Sequence, residues 1–116
     1  MSTAPLLPQA ATPEAWDALL ADDHALVPGV LEIARRHRIA VDAARGPQRY
    51  DSGSQPVYAL SDNAVLKLYP PEDSAHADVE ARVLAFVEGR LPVATPRVLA
   101  TGGQDGWRYL LMSRLR

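Results

Sequence analysis

The hydrophobic pattern of the sequence changes at Gly46, and this change does most to limit the folds open to the chain. Downstream of it, β-branched and aromatic residues cluster in three short segments, and the residues between them have compositions typical of turns. The three segments are residues 48–51, 57–60 and 64–69. Short segments of this kind, separated by turns, predict three antiparallel strands in a meander.

One helix and one more hairpin are predicted after the meander. A proline pair at residues 70–71 ends the third strand, and residue 73 or 74 can cap a helix that runs to about Glu88. Residues 96–100 and 107–113 then flank a glycine-rich reversal. The whole pattern predicts an α+β domain in which one helix crosses a five-stranded antiparallel sheet.

Residues 1–45 have a different pattern, which indicates helices and not strands. Residues 1–11 contain prolines and show no periodicity, so we expect a flexible lead-in. The N-cap Thr12 and the proline after it predict a first helix over residues 12–20, and a second helix is predicted over residues 28–37. The expected division is a lead-in of residues 1–11, a helical extension of residues 12–45 and a sheet domain of residues 46–116.

Composition narrows the class of protein and its partners. With 47% apolar and 22% charged residues, a chain of 116 residues can bury a core. A net charge of −2 gives no basic surface for nucleic acid or an anionic membrane. The chain has no cysteine, no segment resembling a secretion signal and no apolar run long enough to cross a bilayer. We therefore expect a soluble cytoplasmic protein without nucleic-acid or membrane partners.

A charged residue lies on the apolar side of the helix predicted after the third strand. At about 100° per residue, one broad side of this helix collects Val79, Val83, Leu84, Val87 and Leu91. Glu80 lies among them, so its carboxylate is predicted to face the core. An unpaired buried carboxylate is unfavourable, and Glu80 therefore needs a cation or a solvent-filled cleft.

The cation that meets this requirement is Lys67, the only lysine of the chain. Lys67 shares a face of the third strand with Val65 and Tyr69, and the helix follows closely. A lysine held by a glutamate presents a fixed point charge to phosphate oxygens. In the alternative interpretation, Lys67 reaches solvent from an edge of the sheet, and Glu80 lies at the rim of the apolar stripe.

Two further segments are candidate nucleotide contacts. Gly53, Ser54 and Gln55, between the first two strands, can bring backbone N–H groups close to phosphates. An ordinary hairpin turn explains the same residues. The apolar segment of residues 110–113, which ends in a serine, can form the wall and edge of a slot for a purine, and core packing explains it equally well.

The order of these features resembles the N-terminal lobe of the aminoglycoside phosphotransferase family, the antibiotic and choline kinase-like relatives of protein kinases. The similarity covers roughly residues 46–116, and the order and spacing of its short motifs are fairly specific. The most similar segments are residues 53–60, 64–69, 79–84, 95–102 and 109–115.

The resemblance implies a role for each candidate residue. Lys67 would contact the α- and β-phosphates of ATP, and Glu80 would orient Lys67. The loop residues that would cover the phosphates are Gly53, Ser54 and Gln55. The residues that would offer main-chain hydrogen bonds to the adenine are Leu111, Met112 and Ser113.

The catalytic segment of the family, H-G-D-x-x-x-x-N, and its later metal-binding aspartate do not occur in the 116 residues. We therefore expect a fragment without the C-terminal catalytic lobe, with no catalytic residue or metal ligand of its own and no activity alone. In the complete protein, ATP with Mg²⁺ held by that lobe would donate its γ-phosphate to a hydroxyl of a small molecule. An aminoglycoside acceptor would connect the protein with antibiotic resistance.

A second hypothesis treats the chain as a non-catalytic binding or interaction module derived from such a lobe. The strip that the second lobe would otherwise cover is expected to be exposed and to include Leu110, Leu111 and Leu115. An apolar strip of this kind would favour self-association or pairing with another protein.

Overall fold

A computed structural model of the chain describes residues 5–50 and 55–115. Its helices and strands, in chain order, are α1 (Pro13–Leu20), α2 (Val27–Arg36), β1 (Gln48–Arg49), β2 (Val57–Ala59), β3 (Ala64–Tyr69), α3 (Ser74–Val87), β4 (Val98–Gln104) and β5 (Trp107–Ser113). A single 3₁₀ turn, Pro71–Asp73, leads from β3 into α3. The hydroxyl of Thr12 accepts a hydrogen bond from the N–H of Ala15. Thr12 is thus the N-cap of α1, as predicted from the sequence.

The five strands form one antiparallel sheet in the order β1-β2-β3-β5-β4. This arrangement confirms the α+β class and the five-stranded sheet predicted from the sequence. Strand β3 lies in the middle, hydrogen-bonded to β2 on one side and to β5 on the other. The side chains of Val65, Leu66 and Lys67 are therefore flanked by paired strands on both sides.

Each face of the sheet is covered by helices. On one face, α1 and α2 pack against a cluster. Its buried residues from the strands and the adjoining β2–β3 turn are Tyr58, Leu60, Ala64, Leu66, Leu68, Trp107, Tyr109 and Leu111. On the other face, α3 packs against a cluster whose buried residues are Val65, Tyr69, Ala77, Leu110 and Met112. We call the first the extension face and the second the α3 face.

Strand β3 contributes to both faces because successive side chains of a strand point to opposite sides. Leu66 and Leu68 pack on the extension face, whereas Val65 and Tyr69 pack on the α3 face. Because both sides are covered, the strand has no alternation of apolar and polar residues. The single charged residue, Lys67, therefore lies on the α3 face.

The side of α3 that packs on the sheet overlaps only partly with the predicted one: of the predicted apolar residues, Leu84 does pack on the sheet. Ala77 is fully buried, and Ala81 and Leu84 pack against the same cluster. Val79 and Val83, which were predicted to face the core, are 53% and 54% exposed. The prediction followed the larger apolar residues, whereas the contact with the sheet also includes the small residues Ala77 and Ala81.

The hairpin between β4 and β5 is tighter than predicted. Strand β4 continues to Gln104, so the reversal consists of the two residues Asp105 and Gly106. Both have positive φ angles, 54° and 86°, as the two central residues of a type I′ turn require. The glycines before Asp105 belong to the strand and not to the loop.

Residues within the expected lead-in contact the body of the domain. Leu7 is fully buried in the extension-face cluster. The N–H groups of Leu6 and Leu7 donate hydrogen bonds of 2.9 and 3.0 Å to Oδ2 of Asp105. The described part of the lead-in is thus fixed to the β4–β5 hairpin.

The apolar strip on which the interaction-module hypothesis relied is not formed by the predicted residues. Leu110 and Leu111 are buried on opposite faces of the sheet, at 0% and 1% exposure, and Leu115 is the one member that is exposed. Within residues 5–50 and 55–115, no helix has both the length and the apolar character needed to cross a bilayer.

Candidate functional site

Lys67 lies in the interior of the sheet. It pairs with Val57 of β2 and with Leu110 of β5, so it does not extend from a sheet edge as in the alternative interpretation. Its side chain keeps 20% of its surface accessible to solvent. The side chain is therefore largely enclosed on the α3 face but not sealed from solvent.

Glu80 of α3 supplies the partner for Lys67. Nζ of Lys67 donates a hydrogen bond of 2.8 Å to Oε1 of Glu80. Glu80 lies three residues after Ala77 and four before Leu84, so it belongs to the stripe of α3 that packs on the sheet. The structure thus brings together the two opposite charges that the sequence places in apolar surroundings.

Tyr69 is a third member of this contact. It lies two residues after Lys67 on the same face of β3, and its hydroxyl donates a hydrogen bond to the same Oε1 of Glu80. Nζ of Lys67 lies 5.4 Å from the centroid of the Tyr69 ring, within reach of a cation–π interaction. The glutamate oxygen therefore accepts from a cation and from a neutral phenol.

The environment of Tyr69 keeps its hydroxyl protonated. The side chain is 1% exposed. Burial, together with the hydrogen bond to the negatively charged Glu80, raises the pKa of the Tyr69 phenol. The group is consequently a hydrogen-bond donor throughout the neutral pH range.

Lys67 and Glu80 border a cleft of about 320 Å³ on the α3 face. The remaining residues that line it are Tyr50, Val57, Val65, Pro96, Met112, Ser113, Arg114 and Leu115. The charged groups of the lining are Lys67, Glu80 and Arg114, and Val57, Val65 and Met112 contribute apolar surface from β2, β3 and β5. This combination suits a ligand with an anionic part and a flat apolar part.

The three residues predicted to contact adenine lie in different surroundings. Met112 and Ser113 line the cleft, whereas the side chain of Leu111 is buried on the extension face. The N–H of Ser113 donates a 2.8 Å hydrogen bond to the carbonyl of Arg97. In return, the hydroxyl of Ser113 accepts a hydrogen bond from the N–H of Arg97. Main-chain bonding to adenine by these residues stays a prediction.

The predicted phosphate-covering loop is described at one position. Gly53 and Ser54 lie outside the described residues. Gln55 lines a second pocket, of about 310 Å³, beside Tyr69 and Glu80. Glu80 therefore lies between this pocket and the cleft that contains Lys67.

The sequence reasoning missed two tyrosines. Tyr50 lines the cleft from the end of β1. Tyr69 was placed on the face of Lys67, but no role was assigned to its hydroxyl. The available signal was the spacing, because a residue two positions from a functional lysine in a strand points to the same side.

The histidines do not combine into a metal site. Across residues 5–50 and 55–115, no three His, Cys, Asp or Glu side chains are grouped so that they could hold a metal ion. His37 instead shares a hydrogen bond of 2.6 Å with the hydroxyl of Tyr109, and His76 is exposed beside Asp73.

The model of the phosphotransferase enzyme family matches residues 47–116. The matched segment contains the five strands, α3, the Lys67–Glu80 pair and every residue that lines the cleft. No curated protein matches the chain.

Proposed function

The chain belongs to the phosphotransferase enzyme family, and we propose that its cleft binds the nucleotide in an ATP-dependent transfer of phosphate to a small-molecule hydroxyl. The observation that carries this proposal is the hydrogen-bonded pair of Lys67 and Glu80 in the lining of a cleft that also has apolar walls. A lysine in such a pair is held at one place as a point charge, which is what phosphate oxygens require.

The dimensions and lining of the cleft fit a nucleotide. Its volume of about 320 Å³ is at the lower end of the range of small-molecule sites, roughly 300–1,000 Å³. Val57, Val65 and Met112 offer apolar surface for the purine, and Lys67 offers the positive charge for the phosphates. We propose that Glu80 orients Lys67 towards the α- and β-phosphates.

Bound ATP supplies the phosphoryl group that is transferred. The residues of this chain bind and orient it, because positioning and electrostatic stabilisation provide most of the catalysis in phosphoryl transfer. The sequence contains no H-G-D-x-x-x-x-N segment. We therefore assign nucleotide binding to this chain, and the acceptor base and the Mg²⁺ ligands to another part of the complete protein.

Nucleotide titration of the purified chain tests the proposal, with Lys67→Ala as the diagnostic variant. A hydrogen bond to a charged group contributes about 1.5–3 kcal/mol, so Lys67→Ala is expected to weaken ATP binding roughly tenfold or more. Isothermal titration calorimetry measures the dissociation constants, and a parallel titration with GTP measures the preference for the base.

The chain offers a matched control in a second ion pair between the sheet and α3. Arg108 of β5 donates a 3.1 Å hydrogen bond to Asp78 of α3, and neither residue lines the cleft. Arg108→Ala removes the same kind of contact and is expected to leave ATP affinity unchanged. Equal affinity of Lys67→Ala and the unmodified chain would exclude Lys67 from the site.

A further inference from the structure

We propose that Tyr69 is a positioning residue of this site: its hydroxyl fixes the carboxylate of Glu80, and through it the ammonium of Lys67, before any nucleotide binds. That this arrangement prepares Lys67 for a nucleotide rests on the proposed function. The arrangement itself can be tested in the absence of nucleotide.

Strand geometry places Tyr69 where it can act in this way. Lys67 and Tyr69 are alternate residues of β3 and both point to the α3 face, so Glu80 meets the two side chains together. The Tyr69 ring is 1% exposed and packs in the cluster with Ala77 and Leu110. The phenol is therefore the rigid member of the three.

The other two members need such a support. The side chains of Lys67 and Glu80 are 20% and 35% exposed, and ion pairs open to water contribute only about 0.2–1 kcal/mol. Both side chains also lose rotamer freedom when they are held in one geometry. A second donor on a buried ring limits the positions of the carboxylate and makes the pair more persistent.

The raised pKa of the Tyr69 phenol agrees with this role, because a phenol that keeps its proton donates to the carboxylate at every neutral pH. A simpler role, in which Tyr69 only fills the core, would be served equally well by phenylalanine. The two roles differ in what Tyr69→Phe does to Lys67.

Lys67 can be observed alone, because it is the only lysine of the chain. Labelling lysine with ¹⁵N gives a single side-chain ammonium signal, and NMR relaxation measures the order parameter of its Nζ in the nucleotide-free chain. Tyr69→Phe is expected to lower this order parameter to the value found in Glu80→Gln. An unchanged order parameter in Tyr69→Phe would overturn the proposal.

Tyr58 provides the matched control. It is also 1% exposed, but it packs on the extension face, and its hydroxyl donates to the carbonyl of Asp23. Tyr58→Phe removes a buried hydroxyl of the same kind without touching Glu80. It is expected to leave the Lys67 order parameter unchanged, and a decrease equal to that of Tyr69→Phe would show a general loosening of the fold.

ATP affinity supplies a second, independent test. Tyr69→Phe is expected to weaken binding severalfold and to cause no further loss in a Glu80→Gln background, because the two residues act in series. Equal losses in both backgrounds would contradict the proposal. If the unmodified chain fails to bind ATP, the proposed function is wrong, whereas the Lys67 signal still decides the role of Tyr69.

Discussion

Asp105, in the turn between β4 and β5, binds the N-terminal segment of the described chain. Its carboxylate accepts hydrogen bonds from the N–H groups of Leu6 and Leu7, and its carbonyl accepts one of 2.7 Å from the side chain of Gln9. From the sequence, the residue is fully explained as part of a tight turn. Its second role was not predictable because the partners lie about a hundred residues away and are main-chain groups without any sequence signature.

Asp105→Asn tests the contribution of this carboxylate. Hydrogen bonds from the side chain of Gln104 and the N–H of Leu7 lower the pKa of Asp105 below its ordinary value of 3.8. A carboxyl whose pKa falls on folding stabilises the folded state above the unfolded-state pKa, and this stabilisation is lost as the pH falls through the folded-state pKa. We expect the chain to be more stable than Asp105→Asn at neutral pH, with a difference that shrinks below pH 3.8.

Denaturant unfolding between pH 2 and 7 measures this difference. Asparagine tolerates the positive φ of the turn, so the variant isolates the charge and the hydrogen bonds. Asp62→Asn, at an exposed position of the β2–β3 turn, is the control. A stability difference between Asp105→Asn and the unmodified chain that is constant with pH would contradict the role of the ionised carboxylate.

The pairing of Lys67 and Glu80 was predictable because each charge interrupts an apolar segment, and burial of either requires a partner. The hydrogen bond of the Tyr69 hydroxyl and the side-chain orientation of Leu111 were harder to predict from the sequence. A tyrosine in a buried strand has the same pattern as a core residue, and a strand covered on both faces has no polar alternation to show which face a leucine occupies.

Helix α3 shows how a stripe of small residues can be overlooked. Ala77, Ala81 and Leu84 face the sheet, while Val83 and Phe86 are 54% and 64% exposed. The prediction weighted side chains by hydrophobicity, so it placed Leu84 correctly but did not include the small residues Ala77 and Ala81. Glu80 belongs to the stripe that packs on the sheet and also to the predicted side, which is why its partner could be predicted.

Paired substitutions distinguish the two faces of α3. Leu84→Ala is expected to lower the free energy of unfolding by about 2 kcal/mol, because it removes apolar contacts with the sheet. Val83→Ala is expected to change it by less than about 0.5 kcal/mol, since an exposed helical position loses little packing. Urea denaturation measures both values. A larger effect of Val83→Ala than of Leu84→Ala would contradict the packing of Leu84 on the sheet and the exposure of Val83.

Boundaries of the strands were predictable where a turn has a distinctive composition. Strand β3 has the predicted ends, residues 64 and 69. The β4–β5 hairpin was predicted, with β5 at the predicted residues 107–113. Its loop was predicted too long because the glycines of β4 resemble loop residues, whereas Gly102 leaves room for the Tyr109 hydroxyl. A Cβ atom on Gly102 would lie 2.4 Å from that oxygen.

At the scale of the whole molecule, the described part of the lead-in acts as part of the core. Leu7 packs against Gly29 so closely that a Cβ on this glycine would lie 2.3 Å from Cδ2 of Leu7. The carbonyl of Pro8 accepts a 3.1 Å hydrogen bond from the indole of Trp107. The segment therefore connects α2 with the β4–β5 hairpin.

Leu7→Ala and Leu6→Ala test this connection with neighbouring leucines. Truncation of a fully buried leucine costs about 2–5 kcal/mol, so Leu7→Ala is expected to lower the midpoint of thermal unfolding substantially. Leu6 is 36% exposed, and its truncation is expected to have a small effect. Equal midpoints for the two variants would mean that the segment does not contribute to the core in solution.

The helices that cover the extension face have a practical consequence for producing the domain. The family match begins at residue 47, and a shortened chain designed from that boundary would include every residue that lines the cleft. It would also expose Leu66, Leu68, Trp107, Tyr109 and Leu111 to water. The better starting point for expression is therefore upstream of Leu7, even though every residue of the cleft lies downstream of residue 47.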